Sequence, residues 1–189
     1  MGKRMTNRGK RPAPPGIGVA DEIAAMIRVD HAGEYGAVRI YEGQLAVLGA
    51  AKTKTTDAIR HMAQQEREHL KRFDTLVNER RVRPTALQPV WQVAGFALGA
   101  ATALMGEKAA MACTEAVEEV IDGHYADQIE RLKTADPALR KTLESFRADE
   151  IAHRDAAIAH GSEQAPGHKL LTGAIKAGCR VAIALSTRI

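Results

Sequence analysis

The sequence predicts an all-α protein built on a four-helix bundle, and three observations predict it. Alanine is abundant while alternating runs of β-branched residues are scarce. Long stretches carry apolar residues at steps of three and four, the period of an amphipathic helix. A set of acidic and imidazole residues is also duplicated: Glu34, Glu66 and His69 return in the same order and spacing as Glu118, Glu150 and His153, each 84 positions further on. Residues i and i+3 share a helix face, so each Glu-x-x-His aims both side chains at one spot. A bundle that holds two irons or two manganese ions takes one Glu from each of two helices and Glu-x-x-His from each of the other two, and this chain fills all six positions.

The elements follow in order. Residues 1–20 hold Lys3, Arg4, Arg8, Lys10 and Arg11, no acid and no apolar run, so they read as a basic flexible arm and not as a secretory signal. The bundle domain is expected over 21–189. Its first helix runs from Asp21 to about Leu48, with Ile27, His31, Glu34, Val38, Tyr41, Leu45 and Leu48 along one stripe. The second starts near Asp57 as N-cap and turns Ile59, Met62, Glu66, His69, Phe73 and Leu76 inward, closing a helix pair over about 21–82. The midpoint between Glu34 and Glu66 falls at the Gly49-Ala50-Ala51-Lys52 turn, as an antiparallel hairpin requires. Residues 84–106 carry no charge and read as a crossover helix with a greasy face; three glycines and Pro89 make the stretch a weak bilayer span. The second helix pair covers about 107–160. Its first member presents Met111, Glu118, Ile121 and Tyr125, and its second follows the Asp136-Pro137 start and presents Leu139, Leu143, Phe146, Glu150, His153 and Ala157. Residues 168–189 form a basic amphipathic helix that either docks on the bundle or lies in a membrane interface.

Four carboxylates on core-facing positions are unfavourable unless positive charge neutralises them. No Lys or Arg falls on these faces, whereas two divalent cations would balance the four charges. Oxygen and imidazole ligands without thiolate favour iron or manganese. Glu119 lies about 100° away from Glu118 around the helix and drops out as a ligand; Glu115 reads as a neighbour of the site or a solvated residue. His31 and His124 read as separate from the ligand set, and Asp30 and Asp122 are expected to hydrogen-bond the ligand imidazoles. Cys113 and Cys179 make no Cys-x-x-Cys and are expected as free thiols in a reducing interior. Residues 21–163 hold 18 basic against 23 acidic groups, while both ends are basic. That balance excludes a nucleic-acid-binding body and suits an anionic membrane surface.

The run Arg28-Val29-Asp30-His31-Ala32-Gly33-Glu34-Tyr35-Gly36-Ala37, with Gln65-Glu66-Arg67-Glu68-His69-Leu70, Met111-Ala112-Cys113-Thr114, Asp149-Glu150-Ile151-Ala152-His153 and the tail Ala177-Gly178-Cys179-Arg180, resembles the demethoxyubiquinone hydroxylase family of ubiquinone biosynthesis. The resemblance covers nearly everything after residue 21. It implies a ferritin-like di-iron monooxygenase, with two iron ions per chain and O2 as co-substrate. Its substrate would be a polyprenyl benzoquinone or quinol hydroxylated on the ring, with NADH as electron donor; no Gly-x-Gly-x-x-Gly is present to hold it. Glu34, Glu66, His69, Glu118, Glu150 and His153 carry over as metal ligands, and His124 and Tyr125 as a pair beside the site acting in electron delivery or quinone contact. The resemblance also implies peripheral attachment to the cytoplasmic face of a bacterial inner membrane or the matrix face of a mitochondrial one, and partners among other ubiquinone-biosynthesis proteins, a lipid-binding one included. The uncharged segment, through residues such as Phe96 and Leu98, and the tail would admit the isoprenoid chain. The competing readings are a ferritin-like iron-oxidising or storage protein and a non-enzymatic helical interaction module.

Overall fold

The computed structural model describes residues 18–189 and holds six α-helices: α1 (Val19–Leu48), α2 (Lys54–Glu79), α3 (Gln88–Leu104), α4 (Glu107–Leu132), α5 (Pro137–Ala159) and α6 (His168–Ser186). The basic arm falls outside the described residues except at 18–20, where α1 begins.

Helices α1, α2, α4 and α5 form the bundle. The duplicated hairpins close where the spacing requires, with turns at 49–53 and 133–136. The start of α2 differs from expectation. Its N-cap is Thr53, whose hydroxyl accepts from the Thr56 amide at 3.1 Å, while the Thr56 hydroxyl takes the Thr53 amide in return. This reciprocal box satisfies two orphan amides and leaves Asp57 in the first turn, where its charge complements the helix dipole. At α5 the expected cap holds: Asp136 accepts from the Leu139 amide at 3.0 Å, and Pro137 occupies the first turn.

The core is split by the polar centre. Below it Ile27, Phe73, Leu76, Tyr125, Leu139 and Leu143 pack together; above it Tyr41, Ile59, Met62, Met111 and Ala157 do the same. All five α1 positions from Ile27 to Tyr41 on the expected stripe are buried.

Helix α3 lies outside the bundle against α1, running in the same direction. Glycine makes this approach possible: a Cβ on Gly99 would sit 1.9 Å from the Ile40 carbonyl oxygen, and one on Gly43 would sit 2.2 Å from that of Phe96. Helix α6 runs along α4. Ile175 is buried and Leu171 and Cys179 pack on the core, while Leu170 and Val181 are exposed, so the tail docks on the bundle with one face and leaves another free. Glu115 belongs to this docking, since it pairs with His168 at 2.9 Å at the start of α6; Lys176 reaches Glu119 further along. Between α3 and α6, over a floor of α1 and α4, runs an apolar groove of about 460 Å³. The Trp91 indole donates to the Ser186 hydroxyl at 2.9 Å and bridges the groove at one end. None of the described helices is long and apolar enough to cross a membrane.

Candidate metal centre

The six residues of the duplicated pattern converge. One set, Glu34, Glu66, His69 and Glu150, and a second, Glu66, Glu118, Glu150 and His153, each bring their ligand atoms within 4.8 Å of one another. Glu66 and Glu150 belong to both sets, the arrangement of two carboxylates shared between two adjacent ions. None of the six is more than 3% exposed.

The imidazoles are oriented for ligation through Nδ1. His69 turns Nε2 to the Asp149 carboxylate at 3.1 Å, and His153 turns Nε2 to the Gln65 amide oxygen at 3.2 Å. A hydrogen bond at one ring nitrogen fixes the lone pair on the other. His69 Nδ1 lies 3.2 Å from Glu150 and 3.6 Å from Glu34, yet neither contact has hydrogen-bond geometry. Glu66 Oε1 is likewise buried without a hydrogen-bond partner. His153 Nδ1 has a hydrogen-bond contact with Glu150 at 3.2 Å, but the unpartnered His69 Nδ1 and Glu66 Oε1, which belong to one set of converging atoms, fit a cation.

Electrostatics agree. Burial pushes the Glu66 and Glu118 carboxyls well above the usual range, and the Glu150 charge adds to it. Burial acts on Glu150 in the same sense, but the His153 and His69 imidazoles outweigh it and hold its carboxyl low. Burial would depress His69; Glu150 and Glu34 instead carry its pKa upward. The side chains by themselves therefore gather protons on groups that ligate only when deprotonated, and two divalent cations would replace those protons.

The hydrogen-bond partners of the two imidazoles differ from expectation. Asp30 and Asp122 do not touch the ligand imidazoles: Asp30 accepts from His124 at 3.1 Å and Gln128 at 2.8 Å, and Asp122 accepts from Arg147 at 2.6 Å. The imidazole partners are Asp149 and Gln65, which precede the ligand residues Glu150 and Glu66 and are themselves 84 positions apart. Each acts across the bundle on the histidine of the other half. Tyr41 and Tyr125, also 84 apart, complete the pattern. Tyr41 donates to Glu118 at 2.8 Å, and Tyr125 donates to Glu34. The repeat that singled out the six candidate ligands would have found these four residues had it been extended to their neighbours. His124 stands apart from the cluster on Asp30, its side chain 20% exposed, and His31 pairs with Asp74 at 2.9 Å. Cys113 and Cys179 are free, their thiol pKa values pushed up by burial to about 12 and about 11.

The groove meets the centre. A small cavity lined by Asp30, Glu34, His124 and Tyr125 shares Val29, Gly33, Ile121 and Ile183 with the apolar groove. Of the two residues expected to line an apolar route, Leu98 does so, whereas Phe96 lies under the Arg39 guanidinium, 5.0 Å from its carbon.

The model of the family described as ubiquinone biosynthesis protein COQ7 matches residues 21–186. A protein of Rhodospirillum rubrum named 3-demethoxyubiquinol 3-hydroxylase is 54% identical over 186 residues, covering 98% of this chain and 86% of that protein. The human NADPH-dependent 3-demethoxyubiquinone 3-hydroxylase, mitochondrial, is 52% identical over 171 residues, covering 88% of this chain and 78% of the human one. The 5-demethoxyubiquinone hydroxylase, mitochondrial, of Saccharomyces cerevisiae is 42% identical over 196 residues, covering 94% and 84%.

Proposed function

The chain belongs to the family of the ubiquinone biosynthesis protein COQ7, and on that premise we propose that it is a di-iron, O2-dependent monooxygenase that hydroxylates the ring of a polyprenylated demethoxy-benzoquinol. The observation that carries this is the junction of a buried cage of four carboxylates and two imidazoles with an apolar groove of about 460 Å³. Iron storage and a purely structural bundle account for neither the groove nor its opening beside Glu34.

Glu34, Glu66, His69, Glu118, Glu150 and His153 would hold two irons, which when bound supply the activation of dioxygen. The protein's part is positional. Asp149 and Gln65 present Nδ1 of His69 and His153, and Tyr125 and Tyr41 orient Glu34 and Glu118. The buried cage excludes water from the reacting atoms. The groove takes the isoprenoid chain and directs the ring past Ile121 and Ile183 toward His124 and Tyr125, the pair proposed to contact the quinone and to serve electron delivery. The overall reaction consumes a ring C–H, O2, two electrons and two protons, and yields the ring hydroxyl and water. A reduced nicotinamide would supply the electrons; the sequence resemblance suggested NADH, while the names of several relatives specify NADPH.

Attachment to a membrane from one side supports substrate entry. The two helices that wall the groove expose Val90, Val93, Leu104, Leu170 and Val181. Helix α6 adds the exposed Lys169 and Arg180 and carries no acid. This face suits the interface of an anionic bilayer, at a bacterial inner membrane or the matrix side of a mitochondrial one.

Iron analysis of purified variants tests the ligand set. Wild type should retain about two irons per chain. Glu118→Ala should lose iron and quinol hydroxylation together, and Glu119→Ala, which removes only an exposed partner of Lys176, should keep both. The reverse pattern would overturn the assignment.

A further inference from the structure

Asp30 is a buried carboxylate that the proposed chemistry does not use. Its Oδ1 accepts from both His124 Nε2 and Gln128 Nε2, at 3.1 and 2.8 Å. Its Oδ2 is buried and has no partner. The side chain is fully buried, and the residue lines, with Glu34, a cavity of about 10 Å³ that adjoins the inner side of the apolar groove and shares four lining residues with it. The other walls of that cavity are Val29, Gly33, Ile121 and Ile183, none of which offers a side-chain hydrogen bond, together with Glu34, His124 and Tyr125.

A buried carboxylate oxygen without a donor is costly, and proteins keep such an atom where something else satisfies it. Oδ1 is saturated by two donors that also fix the carboxylate plane, so the oxygen left over is held in one place. The tail of the groove is too apolar to supply a donor. What arrives along it with an O–H at its leading end is a hydroquinone ring.

We infer that Asp30 is a specificity residue for the ring, its Oδ2 accepting a hydrogen bond from one hydroxyl of the bound hydroquinone. The inference rests on the proposed function, since it places the ring at the inner end of the groove. It assigns to Asp30 a preference for the reduced, O–H-bearing form of the substrate. His124 and Gln128 then act through Asp30 by holding its carboxylate in position.

Trp91 is the single tryptophan of the chain and lines the groove, so its fluorescence reports occupancy independently of turnover. Binding of a decyl-substituted methoxy-hydroquinone and of its dimethyl ether should be titrated by Trp91 quenching in the iron-loaded, reduced protein without oxygen. Wild type is expected to bind the hydroquinone more tightly than the ether. Asp30→Asn, of the same shape, should weaken the hydroquinone by about 10-fold, the scale of one hydrogen bond to a charged group, and leave the ether unchanged. Equal loss for both ligands would mean that Asp30 only shapes the groove, and would overturn the inference. Wild type that binds the ether as tightly as the hydroquinone overturns it without any variant, should Asp30→Asn fail to fold. Absence of quenching by either ligand would instead refute the groove as the substrate site, and the role of Asp30 with it.

Discussion

Glycine inside a helix costs about 0.5–1 kcal/mol relative to alanine, so each helical glycine needs a reason. In this chain the reasons divide, and the division can be measured. At Gly99 and Gly43 a Cβ would stand 1.9 and 2.2 Å from backbone oxygens of the facing helix, which cannot move aside. At Gly36 and Gly178 a Cβ would meet nothing within 4 Å, and both residues line the groove. Packing therefore explains the first pair and not the second; Gly123 and Gly173 also meet nothing within 4 Å but lie off the groove, so it is the place of Gly36 and Gly178 on the groove wall that points to an occupant. Replacing Gly36 or Gly178 by alanine should raise stability by about 0.5–1 kcal/mol each, or roughly 1–4 °C in Tm for a chain of this length. The same methyl should displace about one methylene of a bound chain, about 0.8 kcal/mol, and so raise KM for a long-chain quinol about 4-fold. The double variant should combine both effects and spare a ring carrying no isoprenoid. Gly99→Ala should go the other way, losing about 1–3 kcal/mol as α1 and α3 are forced apart. Thermal unfolding and steady-state kinetics with long- and short-chain substrates decide it. A destabilised Gly36→Ala, or one with unchanged KM for the long-chain quinol, would refute the argument that the groove exists for a ligand.

Three further outcomes are expected. Asp149→Ala removes the partner of His69 Nε2 and should lower iron affinity by about 10- to 100-fold with little change in fold, measured by competition with a chelator. Metal uptake by chelator-treated protein should release protons and tighten as pH rises, because the pKa values of His69, His153, Glu66 and Glu118 are all raised and these groups must deprotonate to ligate; calorimetry in buffers of different ionisation enthalpy measures it. Asp136→Ala should cost about 1 kcal/mol near neutral pH. Burial alone would raise the Asp136 carboxyl, but the Leu139 amide and Arg80 outweigh it and hold the pKa low. The stabilisation is therefore complete above the unfolded carboxyl value of about 4 and lost as pH falls through the folded one, so wild type and variant should converge in acid unfolding curves.

The bundle and its six convergent side chains were legible because both depend on short-range periodicity. An apolar stripe of period 3.6 fixes which face of a helix turns inward, and the 84-residue shift pairs Glu34 with Glu118 without any knowledge of how the helices pack. The start of α2 was misplaced since Thr53 and Asp57 are both good capping residues four positions apart, and only the reciprocal contact with Thr56 chooses between them. Asp30 and Asp122 stand four residues from Glu34 and Glu118 and not beside either imidazole, whose partners act between α2 and α5, a relation that sequence spacing does not display. Glu115 resisted interpretation for the same reason, its partner being His168 on α6. The groove was legible only as two greasy segments; that they stand apart over a floor of small residues is a fact of tertiary placement.

The two halves of the polar centre are near copies, yet their surroundings are not. Around Tyr41 and Glu118 the space is filled by Met62, Met111 and Ile59, whereas around Tyr125 and Glu34 it opens through Gly33 and Ile183. A two-fold cage with a cavity on one flank breaks its own equivalence. On the proposed function, a ring arriving by the groove would meet the Glu34 flank in an orientation set by its trailing tail, so that one carbon would be presented and its neighbours held away. Regiochemistry would then be decided by the shape of the approach, leaving the duplicated interior free of any need to tell one ring position from another.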